Sequence, residues 1–415
     1  MTFSELNLAA PILNSILQSG YTTPTPIQAE AIPAALKGED LIASAQTGTG
    51  KTAAFMLPAL QRLLAAPSKP GRGPRVLVLT PTRELAQQVN EAARKYGRGM
   101  RVNTVSILGG MPYPLQNRLL SQPVDILVAT PGRLIDHINR GRIDFSRLEL
   151  LVLDEADRML DMGFIEDVER IVSATPATRQ TLLFSATMDG PIAKLAQRIL
   201  KNPRRIAMAA QNARNENIEQ RMHYVDDLHH KNRVLRHVLN DAAIQQAIVF
   251  TATKRDADSL AEALHSEGHS VAALHGDMNQ GARNRTLQSL RRGQLRVLVA
   301  TDVAARGLDV LGISHVVNFD LPKVAEDYIH RIGRTGRAGA KGIALTLVSG
   351  RDTLLLKRIE RFTGNQITAH IIAGLEPKFK PGSFKPSSDK KRPPSRFSKG
   401  KPQGGGWKPA FRKAA

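Results

Sequence analysis

The chain has 415 residues, 42% of them hydrophobic, so it is long enough for two or three folded domains and too apolar to be disordered throughout. It carries 58 Lys and Arg against 37 Asp and Glu, a net charge of +21 that favours a polyanionic partner, nucleic acid first. The absence of cysteine excludes disulfide scaffolds, thiolate zinc sites and cysteine nucleophiles.

The first twenty residues lack both a basic start and an unbroken apolar stretch, so we expect no signal peptide. No run in the chain approaches the ~18 apolar residues that a membrane helix needs. We therefore expect a cytoplasmic protein with no membrane partner.

Short runs that are apolar throughout recur along the chain, a pattern typical of parallel strands covered on both faces. Helical stretches such as residues 84–96 and 255–268 lie between them. This alternation predicts an α/β fold with two doubly wound parallel sheets in tandem. The predicted strands are 41–44, 76–80, 126–130, 150–154, 181–185, 247–250, 297–301, 315–319 and 342–348.

A polar stretch separates the two series of strands and predicts a linker at 209–217, between domains at 1–208 and 218–370. A basic tail is predicted at 371–415. Residues 378–415 hold twelve Lys and Arg, six Pro and five Gly against one acid, with no apolar period. Such a segment cannot bury enough surface to offset its chain entropy, so we expect it to be disordered.

A glycine-rich loop follows the first predicted strand and precedes a helix. Glycines allow the backbone N–H groups and the helix N-terminus to face phosphate oxygens, while the lysine supplies charge and the threonine hydroxyl can ligate magnesium. The general pattern has a glycine where this chain has Ala45, and a strand-to-helix turn with chance glycines is the alternative. The loop is Ala45, Gln46, Thr47, Gly48, Thr49, Gly50, Lys51 and Thr52.

Asp154 and Glu155 end another apolar strand. Carboxylates at the carboxyl end of a parallel strand point into the crevice where ligands bind. Magnesium prefers oxygen ligands, so Asp154 suits a metal-positioning role, and Glu155 would activate the attacking water. Alone, the pair is a weak signal that would more often be a solvated strand end; the phosphate loop favours the catalytic interpretation.

The second half contains no glycine-rich Lys-Ser/Thr loop, but it has a basic segment at 330–337. Hydrolysis of a nucleoside triphosphate requires positive charge at the γ-phosphate. Arg334 and Arg337 are three residues apart and would reach one site if the segment is helical. The alternatives are arginine fingers or a solvated basic turn.

These residues, in this order, resemble the DEAD-box ATP-dependent RNA helicases over nearly all of 1–350, and the short N-terminus and basic tail are most similar to those of the bacterial RhlE-type subgroup. The remaining motifs of the resemblance are 20–28 (GYTTPTPIQ), 81–86 (PTRELA), Gly109-Gly110, 130–133 (TPGR), Asp154-Glu155-Ala156-Asp157, Ser185-Ala186-Thr187, His275-Gly276-Asp277 with Gln280 and Arg283, and 301–309 (TDVAARGLD).

The resemblance implies two RecA-like domains, ATP and Mg²⁺ as ligands, and RNA as the partner. In ATP binding, Gln28 would read adenine with Phe3 and Tyr21 nearby, Lys51, Thr52 and Asp154 would hold MgATP, and Asp309 would contact the ribose. In hydrolysis, Glu155 would be the base and Arg334 and Arg337 the fingers. Ser185 and Thr187 would couple the ATP state to RNA binding. The RNA contacts would be Arg83, Gly110, Thr130, Arg133, Gly276, Arg283 and Thr301.

The implied activity is RNA-stimulated ATP hydrolysis with local unwinding of short duplexes, in ribosome assembly or RNA turnover. An RNA clamp or remodelling scaffold with little unwinding is the main alternative, and a DNA translocase is another. In the tail, aromatic residues are interleaved with basic ones, which predicts a sequence-tolerant RNA anchor, with a merely solubilising tail as the alternative. These aromatic residues are Phe379, Phe384, Phe397, Trp407 and Phe411.

Overall fold

The computed structural model describes residues 1–45, 48–188, 190–207, 217–305, 310 and 312–378. Their strands form two separate seven-stranded parallel sheets. We call the part built on the first sheet, up to residue 207, lobe 1, and the part built on the second, from residue 217 to 378, lobe 2. The predicted α/β fold with two tandem parallel sheets is confirmed.

The sheet of lobe 1 has the order β3-β4-β2-β5-β6-β1-β7. Its central strands are buried on both faces, as expected for parallel strands between two helical layers. The strands are β1 (Leu41–Ser44), β2 (Val76–Leu79), β3 (Thr104–Ile107), β4 (Ile126–Ala129), β5 (Leu150–Leu153), β6 (Gln180–Ser185) and β7 (Arg204–Ala207).

Most helices of lobe 1 follow one of its strands, whereas the first two precede β1. One of the helices that follow a strand begins just after Thr82, whose hydroxyl caps the helix by accepting a hydrogen bond from the backbone N–H of Leu85. A 3₁₀ turn spans Phe3–Leu6, and the helices are α1 (Ala10–Gln18), α2 (Pro26–Leu36), α3 (Lys51–Leu64), α4 (Arg83–Tyr96), α5 (Tyr113–Leu120), α6 (Pro131–Asn139), α7 (Ala156–Asp161), α8 (Ile165–Ser173) and α9 (Gly190–Ile199).

Lobe 2 repeats the layout with the order β10-β11-β9-β12-β13-β8-β14. The strands are β8 (Ile218–Val225), β9 (Ala247–Phe250), β10 (Val271–Leu274), β11 (Val297–Ala300), β12 (His315–Asn318), β13 (Gly342–Ser349) and β14 (Thr368–Ala369). The helices are α10 (Leu228–Leu239), α11 (Lys254–Ser266), α12 (Gln280–Arg291), α13 (Asp302–Ala305), α14 (Ala325–Ile332) and α15 (Thr353–Thr363), with 3₁₀ turns at Arg337–Gly339 and Gly350–Asp352.

Each sheet separates two hydrophobic layers, because successive side chains of a strand point to opposite faces. In β2, Val76 and Val78 join the layer that contains α3, whereas Leu77 and Leu79 join the layer that contains α8. Both sets are apolar, so the strand has no polar face. This explains why the central strands are recognisable as uninterrupted apolar runs.

Five strands are not among the sequence predictions, because they are amphipathic, short or at an edge. β7 has one buried residue in four, and β3 alternates between partly and fully buried positions. β8 carries polar side chains along most of its length although it pairs with β13 over eight residues. An uninterrupted apolar run therefore identifies the strands in the middle of each sheet and does not identify those at or near its edges.

Residues 371–378, placed in the tail by composition, pack on lobe 2. Ile372 and Leu375 contact its core, and the backbone N–H of Lys378 donates to the Asp226 carboxylate at 2.8 Å. The chain is thus attached to lobe 2 seven residues beyond the predicted tail boundary at 371. Of the predicted linker only Asn217 belongs to the described residues, and residues 379–415 lie outside them.

Within the described parts of the chain, we find no helix that is both long and apolar enough to cross a membrane.

Candidate functional site

Three neighbouring strands of lobe 1, β5, β6 and β1, bring the predicted ATP-site residues to one edge of the sheet. Asp154 follows β5, Ser185 ends β6, and the glycine-rich loop follows β1. The backbone N–H of Ala45 donates to the Ser185 carbonyl at 3.0 Å, which fixes the start of the loop against β6. The topology thus places the loop beside the acidic strand end, where open α/β sheets bind ligands.

The glycines of the loop allow the turn that starts α3. Gly48 and Gly50 have φ of +86° and +90°, a region that side chains rarely adopt. Gly50 is the residue before α3, so Lys51 and Thr52 occupy its first turn, where free N–H groups point outward. The predicted loop residues Gln46 and Thr47 lie outside the described residues.

Buried polar atoms converge at this edge without partners among the described residues. Lys51 Nζ, Asp154 Oδ1 and Ser185 Oγ are buried and form no hydrogen bond with any residue that the structure describes. Burial raises the pKa of Asp154 to about 7; the Lys51 ammonium opposes this shift and the neighbouring Glu155 carboxylate adds to it. A buried lysine and a buried carboxylate that lack partners among the described residues fit a ligand that supplies both anionic oxygens and a cation.

The carboxylates of the Asp-Glu-Ala-Asp motif have different environments. Glu155 has a left-handed backbone with φ of +52° at the turn from β5 into α7, a strained conformation for a residue with a side chain. Asp157, two residues later, accepts hydrogen bonds from the N–H groups of Ala186 and Thr187 at 3.0 and 3.2 Å. The Ser-Ala-Thr segment is therefore attached directly to the acidic motif.

The predicted adenine-reading glutamine is linked to the phosphate loop. The Gln28 side chain donates to the Gly50 carbonyl at 3.0 Å and accepts from the Thr25 N–H at 3.0 Å. The Thr25 hydroxyl donates to the Thr49 carbonyl at 2.8 Å. A Cβ on Gly50 would overlap Gln28 Nε2, so this contact requires glycine there. One amide N–H and one oxygen lone pair of Gln28 remain to bind a base edge.

The two aromatic residues expected near the base pack against other side chains of lobe 1, although Tyr21 is 43% exposed. Phe3 is 3% exposed within the hydrophobic layer that contains α2 and α3, so its ring packs in the core and offers no surface to a base. Tyr21 contacts the Tyr96 ring edge-on, with Lys95 Nζ 5.0 Å from its centroid. Both rings anchor the segment that precedes Gln28.

The predicted arginine fingers lie just after α14. Arg334 is buried, and its Nε donates to the His330 carbonyl at 3.1 Å; Arg337 Nε donates to the Gly333 carbonyl at 2.9 Å. The intervening Thr335 hydroxyl is buried against the Ser314 carbonyl. These bonds fix the turn that carries both guanidinium groups. Asp309, the expected ribose contact, lies outside the described residues.

Side chains of the two lobes meet at two places. Arg158 of α7 forms an ion pair with Asp327 of α14 at 2.5 Å. Arg83 of α4 donates to Gln280 of α12 at 2.6 Å. The lobes are thus in direct contact through α7 and α14 and through α4 and α12.

The predicted RNA contacts of lobe 1 form one group around the glycine pair. The Arg83 guanidinium lies directly against Gly110, whose φ is +77°. Arg133 donates to the Met111 carbonyl at 2.7 Å. Thr130 is the residue before α6, so the N-terminus of that helix also faces this group.

In lobe 2, Gly276 and Thr301 follow the neighbouring strands β10 and β11, and Gly276 is exposed with open space at its Cα. Arg283 differs from the expectation. Its side chain is buried, forms an ion pair with Glu84 of lobe 1, and donates to the Ala304 carbonyl at 2.7 Å. In this arrangement Arg283 joins the lobes, and its guanidinium is not exposed to a nucleic-acid backbone.

Several residues that build the site carry no sequence signal of their own. Arg331 is 2% exposed and forms a bidentate pair with Asp302 at 2.6 and 2.8 Å, joining α14 to α13. Arg158 and Asp327 look like ordinary helix-surface charges in the sequence. Each of these residues pairs with a residue that is distant in the chain, so the sequence does not reveal the pairing. The one signal in the sequence is that they lie next to recognised motifs.

Comparison with protein families agrees with this arrangement. Residues 25–195 match the DEAD/DEAH box helicase family, and residues 230–339 match the helicase conserved C-terminal domain. The chain is 46% identical to the ATP-dependent RNA helicase SrmB of Escherichia coli over 92% of its own length and 87% of that protein. It is also 46% identical to the DEAD-box ATP-dependent RNA helicase CshA of Geobacillus kaustophilus, over 87% of its length and 76% of that protein.

Solved structures show the same two-lobed fold. Saccharomyces cerevisiae Dbp5 bound to RNA and ADP BeF3 superposes with a TM-score of 0.80 at 34% identity, covering 89% of this chain and 95% of that one. Mss116p bound to single-stranded RNA and AMP-PNP superposes with a TM-score of 0.81 at 27% identity, covering 90% of this chain and 80% of that one. With its motifs, its two lobes and these relatives, the chain belongs to the DEAD-box family of ATP-dependent RNA helicases.

Proposed function

We propose that this protein hydrolyses ATP to ADP and phosphate when it binds RNA, and that closure of its lobes locally separates short RNA duplexes. The observation that carries the proposal is a pair of buried atoms, Lys51 Nζ and Asp154 Oδ1, that have no partner among the described residues. They lie beside Glu155 at an edge that lobe 2 contacts. A nucleoside triphosphate with a divalent cation supplies the partners that both atoms require.

The donor set fits magnesium. Asp154 offers a carboxylate oxygen and Thr52, in the first turn of α3, offers a hydroxyl. Magnesium prefers oxygen ligands and is usually held by one or two protein groups together with phosphates and water. Bound there, it would neutralise charge on the β- and γ-phosphates.

The remaining steps belong to side chains. Lys51 and the N-terminus of α3 would hold the phosphates, and Gln28 would select adenine. Glu155 would orient the attacking water and accept its proton. Arg334 and Arg337 would offset the negative charge that develops on the transferred phosphoryl group.

Coupling to RNA would follow from lobe closure. ATP bound by lobe 1 and RNA bound across both lobes would each favour the closed state, so each raises the affinity for the other. Arg83, Gly110, Thr130, Arg133, Gly276 and Thr301 would contact phosphates and 2′-hydroxyls, which gives little dependence on base sequence. Ser185 and Thr187, joined to Asp157 through the backbone of residues 186 and 187, would transmit the state of the ATP site.

The first test measures ATP turnover with and without single-stranded RNA for the wild type and Glu155→Gln. Loss of a general base is expected to lower the RNA-stimulated kcat by about 100-fold or more. Binding of ATP and RNA should persist, since neither interaction depends on the Glu155 charge. Retained turnover in Glu155→Gln would contradict its assignment, and no stimulation of the wild type by RNA would contradict the proposed function.

Strand displacement separates a helicase from an ATP-driven clamp. We expect release of a short RNA strand both from a blunt duplex and from one with a single-stranded flank, because closure acts locally. RNA-stimulated hydrolysis without displacement would favour the clamp. Stimulation by DNA equal to that by RNA would favour a translocase. The cytoplasmic location, the RhlE-type subgroup and a role in ribosome assembly or RNA turnover remain predictions.

A further inference from the structure

Arg158 lies on the helix that starts at the proposed catalytic base. It is the third residue after Glu155, and its backbone N–H donates to the Glu155 carbonyl at 3.0 Å. A displacement of the Arg158 backbone therefore displaces Glu155. Among the contacts of the described residues, Arg158 touches no residue of the phosphate loop. Any effect of Arg158 on the ATP site must therefore pass through the residues that it does contact.

Asp327 lies on the helix that leads to the proposed arginine fingers. From α14 the chain continues directly into Arg334, whose N–H donates to the Arg331 carbonyl at 3.0 Å and whose Nε donates to the His330 carbonyl. Helix α14 and the turn that carries Arg334 are thus one rigid unit. A contact made by Asp327 fixes the position of that unit.

The two side chains meet across the lobe interface. Arg158 Nη1 lies 2.5 Å from Asp327 Oδ1, and the side chains are 5% and 9% exposed. A buried ion pair adds little stability relative to two solvated charges. Separating the partners is costly, however, because a charge is then left buried without its counter-charge. The pair therefore favours one register of contact between the lobes over others. His330 Nδ1, 3.9 Å from the same carboxylate oxygen, is the neighbouring titratable group on α14.

Arg158 also has a partner within its own lobe. Its Nη1 lies 3.2 Å from Asp161 Oδ2, one turn along α7, and Asp161 is 45% exposed. This second pair lies within α7 itself, so it does not depend on contact with lobe 2.

We propose that Arg158 and Asp327 form an inter-lobe clasp that positions Arg334 and Arg337 relative to Glu155, so that hydrolysis proceeds only when the lobes close in this register. The clasp residues are positioning residues and touch no reacting atom. This inference rests on the proposed function, because it assigns the clasp to the same ATPase site.

The first experiment separates kcat from KM in RNA-stimulated ATP hydrolysis. Arg158→Met and Asp327→Asn should each lower kcat roughly 10- to 100-fold, because misplacement of catalytic groups by about 1 Å has effects of that size. The KM for ATP should change less than about threefold, since Lys51 and Asp154 bind within lobe 1. Arg158→Lys, which keeps the charge, should recover part of kcat.

Arg198→Met is the matched control. Arg198 pairs with Glu169 on the surface of lobe 1 and is 61% exposed. The kcat of the Arg198→Met protein should therefore equal that of the wild type. If KM and kcat change together in the clasp variants, or if Arg198→Met is equally impaired, the substitutions act on folding of the lobe and the clasp is refuted.

A double-mutant cycle tests whether the two residues act as one unit. The Arg158→Met/Asp327→Asn protein should be no slower than the slower single variant, within about twofold, because the first change has already removed the interaction between the two residues. Effects that multiply would overturn the proposal. Should Arg158→Met fail to fold, Arg158→Gln replaces it in the same cycle.

Crosslinking tests the contact without using activity. The chain has no cysteine, so Arg158→Cys/Asp327→Cys introduces the only two thiols. A short bismaleimide should join them with single-stranded RNA and a non-hydrolysable ATP analogue, and much less without ligands. Arg198→Cys/Asp327→Cys should not crosslink. If the clasp pair gives no crosslink while the wild type is an active RNA-stimulated ATPase, the inference fails alone; an inactive wild type would refute the proposed function instead.

Discussion

At the scale of single residues, the site depends on side chains whose polar atoms are divided between protein and ligand. Gln28 is the clearest example, since its amide nitrogen donates to the Gly50 carbonyl and its amide oxygen accepts from the Thr25 N–H, while one N–H and one oxygen lone pair remain. We therefore propose that this one side chain senses both the base and the phosphate loop. A substitution there should change both recognition of adenine and the order of the loop.

Gln28→Ala is expected to raise the KM for ATP roughly tenfold and to reduce the preference for ATP over GTP. The reason is that the variant cannot form the buried hydrogen bonds to Gly50 and Thr25, each worth about 1–3 kcal/mol when a partner is left unsatisfied. Steady-state ATPase assays with both nucleotides measure the effect. Gln122→Ala, on the exposed surface of the same lobe, is the control. An unchanged preference for ATP in Gln28→Ala would disprove adenine reading.

The three carboxylates of the Asp-Glu-Ala-Asp motif show what the sequence does not reveal about a side chain. Asp154, Glu155 and Asp157 are indistinguishable as acids in the motif, yet their surroundings differ. Asp154 is buried with Oδ1 unbonded among the described residues, Glu155 is strained at a turn, and Asp157 holds two backbone N–H groups. The assignment of Asp154 and Glu155 followed from their place after a strand. The role of Asp157 depends on β6 and became visible only in the fold.

At the scale of elements, neighbouring strands are joined at the edge opposite the site by a buried ion pair. Arg75 precedes β2 and Glu149 precedes β5, and Glu149 accepts hydrogen bonds from Arg75 Nε and Nη2 at 3.0 Å each. Burial alone would raise the pKa of Glu149, but hydrogen bonds from Arg75 and Ser68 outweigh burial and hold this pKa below its usual value. The pair stabilises the register of the strands that carry the site.

Glu149→Gln should lower the free energy of unfolding by about 3 kcal/mol at pH 7, because it leaves Arg75 buried without its counter-charge. A depressed folded-state pKa gives stability that is present above the unfolded pKa and disappears as the pH falls through the folded pKa. The difference between wild type and variant should therefore shrink as the pH falls below 4.5, the ordinary value for glutamate.

Urea unfolding followed by far-UV circular dichroism at pH 7 and at pH 4 measures this difference. Glu169→Gln removes a carboxylate from the pair with Arg198 in the same lobe, whose side chains are 31% and 61% exposed, and should cost less than about 1 kcal/mol at either pH. An equal loss of stability in both variants, or a Glu149→Gln difference that grows on acidification, would show that the buried pair does not stabilise the lobe.

At the scale of the whole molecule, charge is concentrated beyond the folded lobes. Residues 379–415 carry eleven Lys and Arg and one Asp, so they contribute +10 of the total +21. They begin just after Lys378, whose N–H is bound to Asp226 of lobe 2. A truncation after Lys378 therefore removes this charge and leaves the Lys378–Asp226 hydrogen bond in place.

Deletion of 379–415 is expected to raise the Kd for single-stranded RNA and to flatten its salt dependence. For every phosphate that the shortened protein no longer neutralises, the slope of log K against log salt should become shallower by about 0.7. Fluorescence polarisation with a labelled RNA at several KCl concentrations measures both quantities. An unchanged slope would rule out an RNA anchor and leave a solubilising tail.

A second variant distinguishes charge from stacking. Replacing the five aromatic residues of the tail by serine keeps the full charge. If bases stack on these rings, this variant should bind RNA more weakly, by about 1–3 kcal/mol for each stacked base, with the salt slope preserved. Affinity equal to that of the wild type would limit the tail to an electrostatic role.

The sequence by itself determined the strand–loop–helix unit around Lys51, the acidic strand end at Asp154 and the tandem parallel sheets. Each of these is local, because spacing along a few residues and continuous apolarity suffice to place a side chain at a strand end. Tertiary structure alone decided that Arg283 pairs with Glu84, that Arg158 pairs with Asp327 and that Phe3 is core. Those interactions join residues far apart in the chain, and a charged side chain has the same local pattern whether it faces water or another lobe.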